Sequence, residues 1–217
     1  MNDLKNRRPL ESRNSGWASK ITALLAARNI TPNQISQASM GAALIAGSAF
    51  WLAGLAFNVI LIGGLLFVAA LACQMRLLCN LFDGMVAIEA GKSAHDGPFW
   101  NEFPDRIADV LIFAGIGFGL GSPALGLSAA MMAILTAYTR ELGASIGLPP
   151  NFCGPMAKQH RMALATAAAV LAIFEPLLLP QGTILTIALW IVIIGAAATT
   201  GRRAGDIRKR LLQGETL

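Results

Sequence analysis

Six long apolar stretches constrain the fold of this chain of 217 residues more than any other feature. A helix needs roughly 20 mostly apolar residues to cross the hydrocarbon core of a membrane. The stretches cover residues 39–57, 60–80, 106–120, 124–141, 162–179 and 182–200. Turn-forming residues lie between several of them, as at Gly121-Ser122-Pro123 and Pro180-Gln181-Gly182. The sequence therefore predicts an all-α integral membrane protein, a bundle of six transmembrane helices.

The overall composition excludes two other classes of protein. Hydrophobic residues make up 55% of the chain and charged residues only 13%, whereas a soluble domain has about 25% charged residues. Disordered chains are poor in apolar residues and rich in charge, so disorder is excluded as well. The net charge of +5 is then expected to attract anionic lipid headgroups rather than nucleic acid.

The positions of the lysines and arginines predict the orientation in the membrane. They fall before the first stretch, between the second and third or at the adjoining ends of those two, likewise between the fourth and fifth, and after the sixth. By the positive-inside rule both termini and the two longer loops are cytoplasmic. We therefore expect a protein of a bacterial-type inner membrane, with any site in these loops facing the cytoplasm.

The first 30 residues are predicted to lie on the membrane rather than in it. Between Trp17 and Arg28, helical spacing places Trp17, Ile21 and Leu24 on one face, which is typical of an interfacial amphipathic helix. A disordered basic tail is the alternative. The chain is accordingly interpreted as one domain over residues 1–217, with a cytoplasmic tail and interfacial helix at 1–30, six spans within 31–200, and a basic cytoplasmic tail at 201–217.

Polar side chains cluster where the second stretch ends and the third begins. Ionisable groups at membrane depth are costly, so their default interpretation is functional. Spacings of three and four residues place two sets on helix faces: Asn80, Asp83 and Ala87, and then Asn101, Asp105 and Asp109. Two antiparallel helices joined by a short loop would bring these faces together. Such a set of oxygen ligands suits Mg²⁺ or Mn²⁺.

The same cluster resembles the signature of the CDP-alcohol phosphotransferase family, D-x2-D-G-x2-A-R-x8-G-x3-D-x3-D. Every spacing of that signature is preserved here, at Asn80, Asp83-Gly84, Ala87-Ile88, Gly97, Asn101 and Asp105. The resemblance extends to the basic interfacial segment, the Thr31-Pro32-Asn33 entry to the first span and the number of spans. An interhelical polar clamp is the alternative for this frame, but a clamp has no need of several acidic groups.

The resemblance implies a membrane-embedded transferase of phospholipid biosynthesis. Such enzymes move a phosphatidyl or other substituted phosphate group from a CDP-alcohol, often CDP-diacylglycerol, to an acceptor alcohol and release CMP. It implies Mg²⁺ or Mn²⁺ as cofactor, Asp105 as general base, and a homodimer among membrane lipids. The implied metal ligands are Asn80, Asp83, Asn101 and Asp105, and the implied CDP-binding residues are Asp83, Gly84, Ala87 and Gly97.

Three positions depart from the family signature. Asn80 and Asn101 stand where aspartates belong, and Ile88 stands where an arginine belongs. Asparagine offers a carbonyl oxygen to a metal but no negative charge, so we expect weaker binding of a second divalent cation. Either Arg76 or Arg106 could replace the missing arginine. These changes also leave open a catalytically weak or silent relative that binds nucleotide or lipid.

A second basic group follows the fourth stretch, at Arg140, Lys158 and Arg161. Family members with phosphorylated acceptors hold that phosphate with basic residues in a comparable region, and arginine suits phosphate geometry. The alternative is that these cations only set the orientation in the membrane. Asp109 is expected to orient Arg106 or a neighbouring group, and Glu175 to extend toward the outer membrane surface.

The acceptor alcohol is not defined by the sequence. Glycerol phosphate, an inositol phosphate and serine all remain candidates. A small transporter with an acidic site inside the membrane is a third class of function. That class would require charge deeper in the bilayer and an internal repeat, and the sequence has neither.

Overall fold

A computed structural model describes residues 16–89, 91 and 95–214, apart from the side chains of Glu89 and Asn101. Most of the predicted N-terminal tail, residues 1–15, lies outside the described residues. The described part forms seven α-helices and a short 3-10 helix at Glu175–Leu177. The α-helices are α1 Gly16–Ala27, α2 Pro32–Leu55, α3 Val59–Glu89, α4 Gly97–Gly119, α5 Pro123–Ser145, α6 Lys158–Ile173 and α7 Thr183–Leu212.

The prediction of an all-α protein is confirmed. Each of the six apolar stretches lies largely within one helix, from α2 to α7 in chain order. Among the described residues, α2, α3 and α7 are the helices that are both long and apolar enough to cross a membrane. Four helices run well past the predicted boundaries, because α2 begins at Pro32, α3 continues to Glu89, α4 begins at Gly97 and α7 continues to Leu212. The predicted cytoplasmic tail after residue 200 is therefore helical over most of its length.

The fifth apolar stretch ends as a helix sooner than expected. Helix α6 stops at Ile173 and a 3-10 turn follows, since Pro176 has no N–H for the helical ladder. Glu175 is buried, and its carboxylate accepts hydrogen bonds from the backbone N–H groups of Gly182 (2.6 Å) and Ile184 (2.5 Å). The expectation that Glu175 extends toward the membrane surface was wrong, because its charge instead satisfies the first amides of α7.

Helix α1 packs beside the end of α3 that carries the polar cluster. Its buried residues are Ala18 and Thr22, and the Thr22 hydroxyl donates to the sulfur of Met85 at 3.7 Å. Trp17 meets Phe82 edge to face, with ring centroids 6.1 Å apart. The segment is thus helical, as predicted, and the aromatic contact fixes it against α3.

The main packing partners of α2 to α7 form a closed circuit in the order α2, α3, α6, α7, α5, α4 and back to α2. Close approach of α2 and α4 depends on glycine, since a Cβ on Gly47 would lie within 3 Å of the Leu111 backbone. Gly115 on α4 faces Gly47 in the same way. Because α3 and α4 both pack on α2, the two halves of the predicted signature are held on a common support.

Candidate active site

The last turns of α3 supply the first half of the site. Asp83 is buried; one carboxylate oxygen accepts from the Ser36 hydroxyl of α2 at 3.0 Å and the other from the backbone N–H of Gly84 at 2.6 Å. Asn80 is half-buried, and its amide nitrogen donates to the Arg76 carbonyl oxygen at 3.0 Å. That bond fixes the orientation of the amide and leaves Oδ1 as the atom of Asn80 that can act as a ligand.

Helix α4 supplies the second half through Asp105 and Asp109, which lie one turn apart and are both buried. Asp105 interacts with two cations: Arg76 of α3 at 3.5 Å and the Lys158 ammonium at the start of α6. Lys158 also lies within electrostatic range of Asp83. The carboxylates of α3 and α4 are thus joined through cations rather than by direct packing of the two helices.

A buried ion cluster of Asp109, Arg76 and Arg161 lies next to Asp105. Arg76 Nη2 donates to one oxygen of Asp109 at 3.0 Å, and Arg161 Nη2 donates to the other at 2.6 Å. Arg161 also donates to the Thr136 hydroxyl and to the Met156 carbonyl, each at 3.0 Å. Because unpaired buried charges are costly, the carboxylate and the two guanidinium groups depend on one another. Asp109 was expected to orient Arg106 or a neighbour; the structure identifies the neighbours as Arg76 and Arg161.

A second ion cluster lies nearer the surface. Glu102 pairs with both Arg106 and Arg140, and Arg140 also donates to Glu141 at 2.8 Å. Arg106 is therefore occupied by Glu102, whereas Arg76 lies against the carboxylates of the site. Of the two arginines considered as replacements for the one missing at Ile88, Arg76 is the one that contacts the site carboxylates, and it is fully buried there. Ile88 itself is exposed.

The small residues of the signature lie on the last turns of α3 and at the start of α4. Gly84, Ala87 and Gly97 are all half-buried, and a Cβ on Gly97 would meet no described atom within 4 Å. Asn101 belongs to α4, but its side chain lies outside the described residues.

Before α4, Asp96 accepts hydrogen bonds from Asn33 at 3.0 Å and Trp100 at 2.9 Å. These bonds hold the pKa of Asp96 below its usual value and tie the loop to the start of α2.

The ligand chemistry fits a hard cation with a partial protein shell. Asp83 and Asp105 offer carboxylate oxygens and Asn80 an amide oxygen, and no nitrogen or sulfur ligand is needed. No group of three or more histidines, cysteines, aspartates or glutamates suited to a metal occurs in the described part of the chain. Such a cation would therefore need water and substrate phosphates to complete its shell, as Mg²⁺ commonly does.

The sequence did not predict the contact of Ser36 with Asp83 or the pairings of Arg76 and Arg161 with Asp109. Ser36 orients Asp83 from another helix, and nothing in its local sequence marks it. Arg76 precedes Asn80 by four residues and Asp83 by seven, so helical spacing does place it on the same face. The pairing of Arg161 with Asp109 joins residues 52 positions apart and depends on how α4 and α6 pack.

No protein-family model matches the chain. It is 29% identical to the phosphatidylinositol phosphate synthase of Streptomyces avermitilis over 154 residues. The matched region covers 67% of this chain and 63% of that protein, so the chain spans less than two thirds of its relative's length.

Solved structures show the same fold. The phosphatidylinositol phosphate synthase of Mycobacterium tuberculosis with CDP-DAG bound matches with a TM-score of 0.73 and 18% identity, over 89% of this chain and 94% of that one. The same enzyme with manganese and citrate matches with a TM-score of 0.72 and 18% identity, over 88% of each chain. The resemblance to CDP-alcohol phosphotransferases that the sequence predicts is thus confirmed in sequence similarity and in fold.

Proposed function

We propose that this protein transfers a phosphatidyl group from CDP-diacylglycerol, or another CDP-alcohol, to an acceptor alcohol and releases CMP. The observation that carries this function is the burial of Asp83 and Asp105 at one site, on the two halves of the preserved signature. The similarity to phosphatidylinositol phosphate synthase over 154 residues supports it. So does the likeness to a fold that holds CDP-DAG.

The reaction replaces the phosphoanhydride bond of the CDP-alcohol by a phosphate ester bond to the acceptor. The acceptor hydroxyl oxygen attacks the phosphorus that carries the diacylglycerol, the bond from that phosphorus to the CMP oxygen breaks, and the hydroxyl proton passes to a base. We assign the base to Asp105, as the resemblance implies. Gly84, Ala87 and Gly97, with Asp83, form the proposed CDP-binding surface, where small residues let a bulky group approach the backbone.

Asn80, Asp83, Asn101 and Asp105 are the proposed ligands of Mg²⁺ or Mn²⁺. The oxygen-only chemistry of this set fits such a cation, and a relative with this fold holds manganese. When bound, the cation would neutralise charge on the pyrophosphate and on the departing CMP. Ser36 and the Gly84 N–H orient Asp83, and Arg76 orients Asp105.

The acceptor is proposed to carry a phosphate of its own. Arg140, Lys158 and Arg161 form the proposed basic group for that phosphate. Arg140 is half-buried and pairs with Glu102, whereas Arg161 is buried and pairs with Asp109. An inositol phosphate is the first acceptor to test, because the relative of similar sequence is a phosphatidylinositol phosphate synthase. Glycerol phosphate and serine are the comparison acceptors.

The membrane arrangement is part of the proposal. Helices α2 to α7 form a six-span bundle in one domain of a bacterial-type inner membrane, with both termini and the site on the cytoplasmic side. Helix α1 lies at the interface, which fits the exposure of Trp17, Ile21 and Leu24. Two copies pair as a homodimer.

The test is CMP release from CDP-diacylglycerol by purified, detergent-solubilised protein with Mg²⁺ or Mn²⁺ and each acceptor in turn. We expect acceptor-dependent CMP that is lost in Asp105→Ala and in Asp83→Ala. Asp206→Asn is the control, because Asp206 pairs with Arg210 and Asn151 away from the site. CMP release that survives Asp105→Ala would contradict the assignment of the base.

The second candidate function is a silent relative that binds nucleotide or lipid. Asn80, Asn101 and Ile88 favour it, because each removes a charged group of the signature. In that case wild-type protein would bind CDP-diacylglycerol and release no CMP with any acceptor. Activity would then arise only after Asn80→Asp and Asn101→Asp together.

A further inference from the structure

The charges at the site already balance within the protein. Asp83, Asp105 and Asp109 are matched by Arg76, Lys158 and Arg161, and of these six residues all but Lys158 are classed as buried. Asp109 uses its two oxygens for the two arginines. Arg76 also reaches Asp105 at 3.5 Å, and Lys158 is the cation that both pairs with Asp105 and lies within electrostatic range of Asp83.

Lys158 is held in that position by its backbone. The residue before α6, Ala157, is buried, and Met156 is fixed from both sides. The Met156 N–H donates to the Thr199 hydroxyl of α7 at 3.0 Å, and the Met156 carbonyl accepts from Arg161 at 3.0 Å. Lys158 therefore begins α6 from an anchored loop, with its side chain 24% exposed and its ammonium on Asp105.

We propose that the Lys158 ammonium takes the place of a second metal ion, so that the site binds one divalent cation per chain. The inference rests on the proposed function and specifies how that site is neutralised. Two asparagines remove two negative charges from the signature, and the lysine adds one positive charge beside the carboxylates that remain. Because the six charges balance, one divalent cation would bring the cluster to a net charge of about +2 and a second to about +4, in a region of low dielectric constant where charges interact strongly.

This arrangement also gives Lys158 a role toward substrate. Because the Lys158 ammonium pairs with Asp105, a pyrophosphate or acceptor phosphate held at the proposed metal ligands would lie close to it. The lysine would then neutralise the phosphate charge that a second metal would otherwise neutralise. A second metal would need a further carboxylate ligand, whereas the lysine does not.

The test is the stoichiometry and affinity of Mn²⁺ binding, followed by electron paramagnetic resonance of free Mn²⁺ in titrations of detergent-solubilised full-length protein. We expect one Mn²⁺ per chain in the wild type. Lys158→Met removes the competing charge, so Mn²⁺ should bind at least about tenfold more tightly. Lys158→Arg keeps the charge and should bind like the wild type.

Two further variants make the test specific. Lys209→Met, the same substitution at an exposed residue of α7, should leave Mn²⁺ affinity within about twofold, since exposed and distant charges are screened. Combining Lys158→Met with Asn80→Asp and Asn101→Asp should create a second Mn²⁺ site. Thermal unfolding of each variant identifies any that fails to fold, and wild-type stoichiometry stands independently of all of them.

Wild-type protein that binds two Mn²⁺ per chain, or none, would overturn the inference. So would Lys158→Met protein that folds and binds Mn²⁺ no more tightly than the wild type. These outcomes differ from failure of the proposed function, which is the absence of acceptor-dependent CMP release. Metal stoichiometry is measured without CDP-diacylglycerol or an acceptor, so each result can fail alone.

Discussion

Arg76 of α3 donates a hydrogen bond of 3.0 Å to Asp109 of α4, and both side chains are buried. The second oxygen of Asp109 binds Arg161 of α6. One carboxylate thus connects three helices directly beneath the proposed catalytic Asp105. Since Arg76 also contacts Asp105, the position of Asp105 depends on Asp109, one helical turn further along α4.

Replacing Asp109 should therefore destabilise the whole protein. Asp109→Asn leaves two buried guanidinium groups without their counter-charge, which should cost about 3–5 kcal/mol of unfolding free energy. Unfolding of detergent-solubilised protein by added SDS measures this loss. The control is Asp206→Asn, which breaks a partly exposed pair with Arg210 worth about 0–1 kcal/mol. Equal losses in the two variants would show that the buried cluster contributes little.

Asn80→Asp should make stability depend on metal. The new carboxylate cannot donate to the Arg76 carbonyl, so the 3.0 Å bond is lost and metal-free protein should lose about 1–2 kcal/mol. Mn²⁺ should restore this loss and raise Tm more than in the wild type, because a carboxylate binds the cation better than an amide.

Asn151→Ala is the control for this prediction, because it removes a similar amide donor without adding a carboxylate. Asn151 also donates from its amide, to Asp206 at 2.9 Å, but in the loop between α5 and α6. It should lose stability that Mn²⁺ does not restore. A Mn²⁺ response of the same size in both variants would argue against Asn80 as a metal ligand.

Gly47→Ala should separate α2 from α4. The added methyl group would lie against the Leu111 backbone, and overpacking of this kind costs about 1–3 kcal/mol. Gly41→Ala on the same helix meets no atom within 4 Å and should stabilise by up to about 1 kcal/mol through helix propensity. Thermal unfolding compares the two, and a gain in Tm for Gly47→Ala would contradict the packing described.

Glu175→Ala should destabilise the start of α7. It removes both acceptors of the Gly182 and Ile184 N–H groups, at a cost of about 1–3 kcal/mol for the buried donors left unpaired. Glu175→Gln keeps one acceptor oxygen and should lose less. Glu141→Ala, at an exposed residue, should have a small effect in the same SDS titration. If Glu175→Gln loses as much stability as Glu175→Ala, the Glu175 carboxylate stabilises the start of α7 by its charge rather than by accepting two hydrogen bonds.

The sequence predicted the helices well because apolar stretches of membrane length are a local signal. It placed each of α2 to α7 and the break before α7. It overextended α6 to residue 179, because apolar Leu177 and Leu178 continue the pattern after Pro176 has ended the helix. It ended α7 near residue 200, since charge suggested a tail although Arg203 is buried.

The candidate site was predicted in part. Fixed spacing on a helix identified Asn80, Asp83 and Asp105, because residues three or four apart share a face. The hydroxyl that orients Asp83 and the lysine that pairs with Asp105 come from α2 and α6. Neither contact has a local sequence signal. From the sequence alone, a role for Lys158 in the site could not be distinguished from a role in setting the orientation in the membrane.

The sequence by itself determined which residues are helical, which of them are apolar enough for a membrane, and which acidic residues share a face. Those properties depend on neighbours within one or two helical turns. Only the tertiary structure decided which cation of one helix meets which carboxylate of another: Arg76 and Arg161 on Asp109, Lys158 on Asp105, and Arg140 on Glu102. The physical reason is that the attraction between two charged groups depends on the distance between them in space. The packing of α2 to α6 sets that distance.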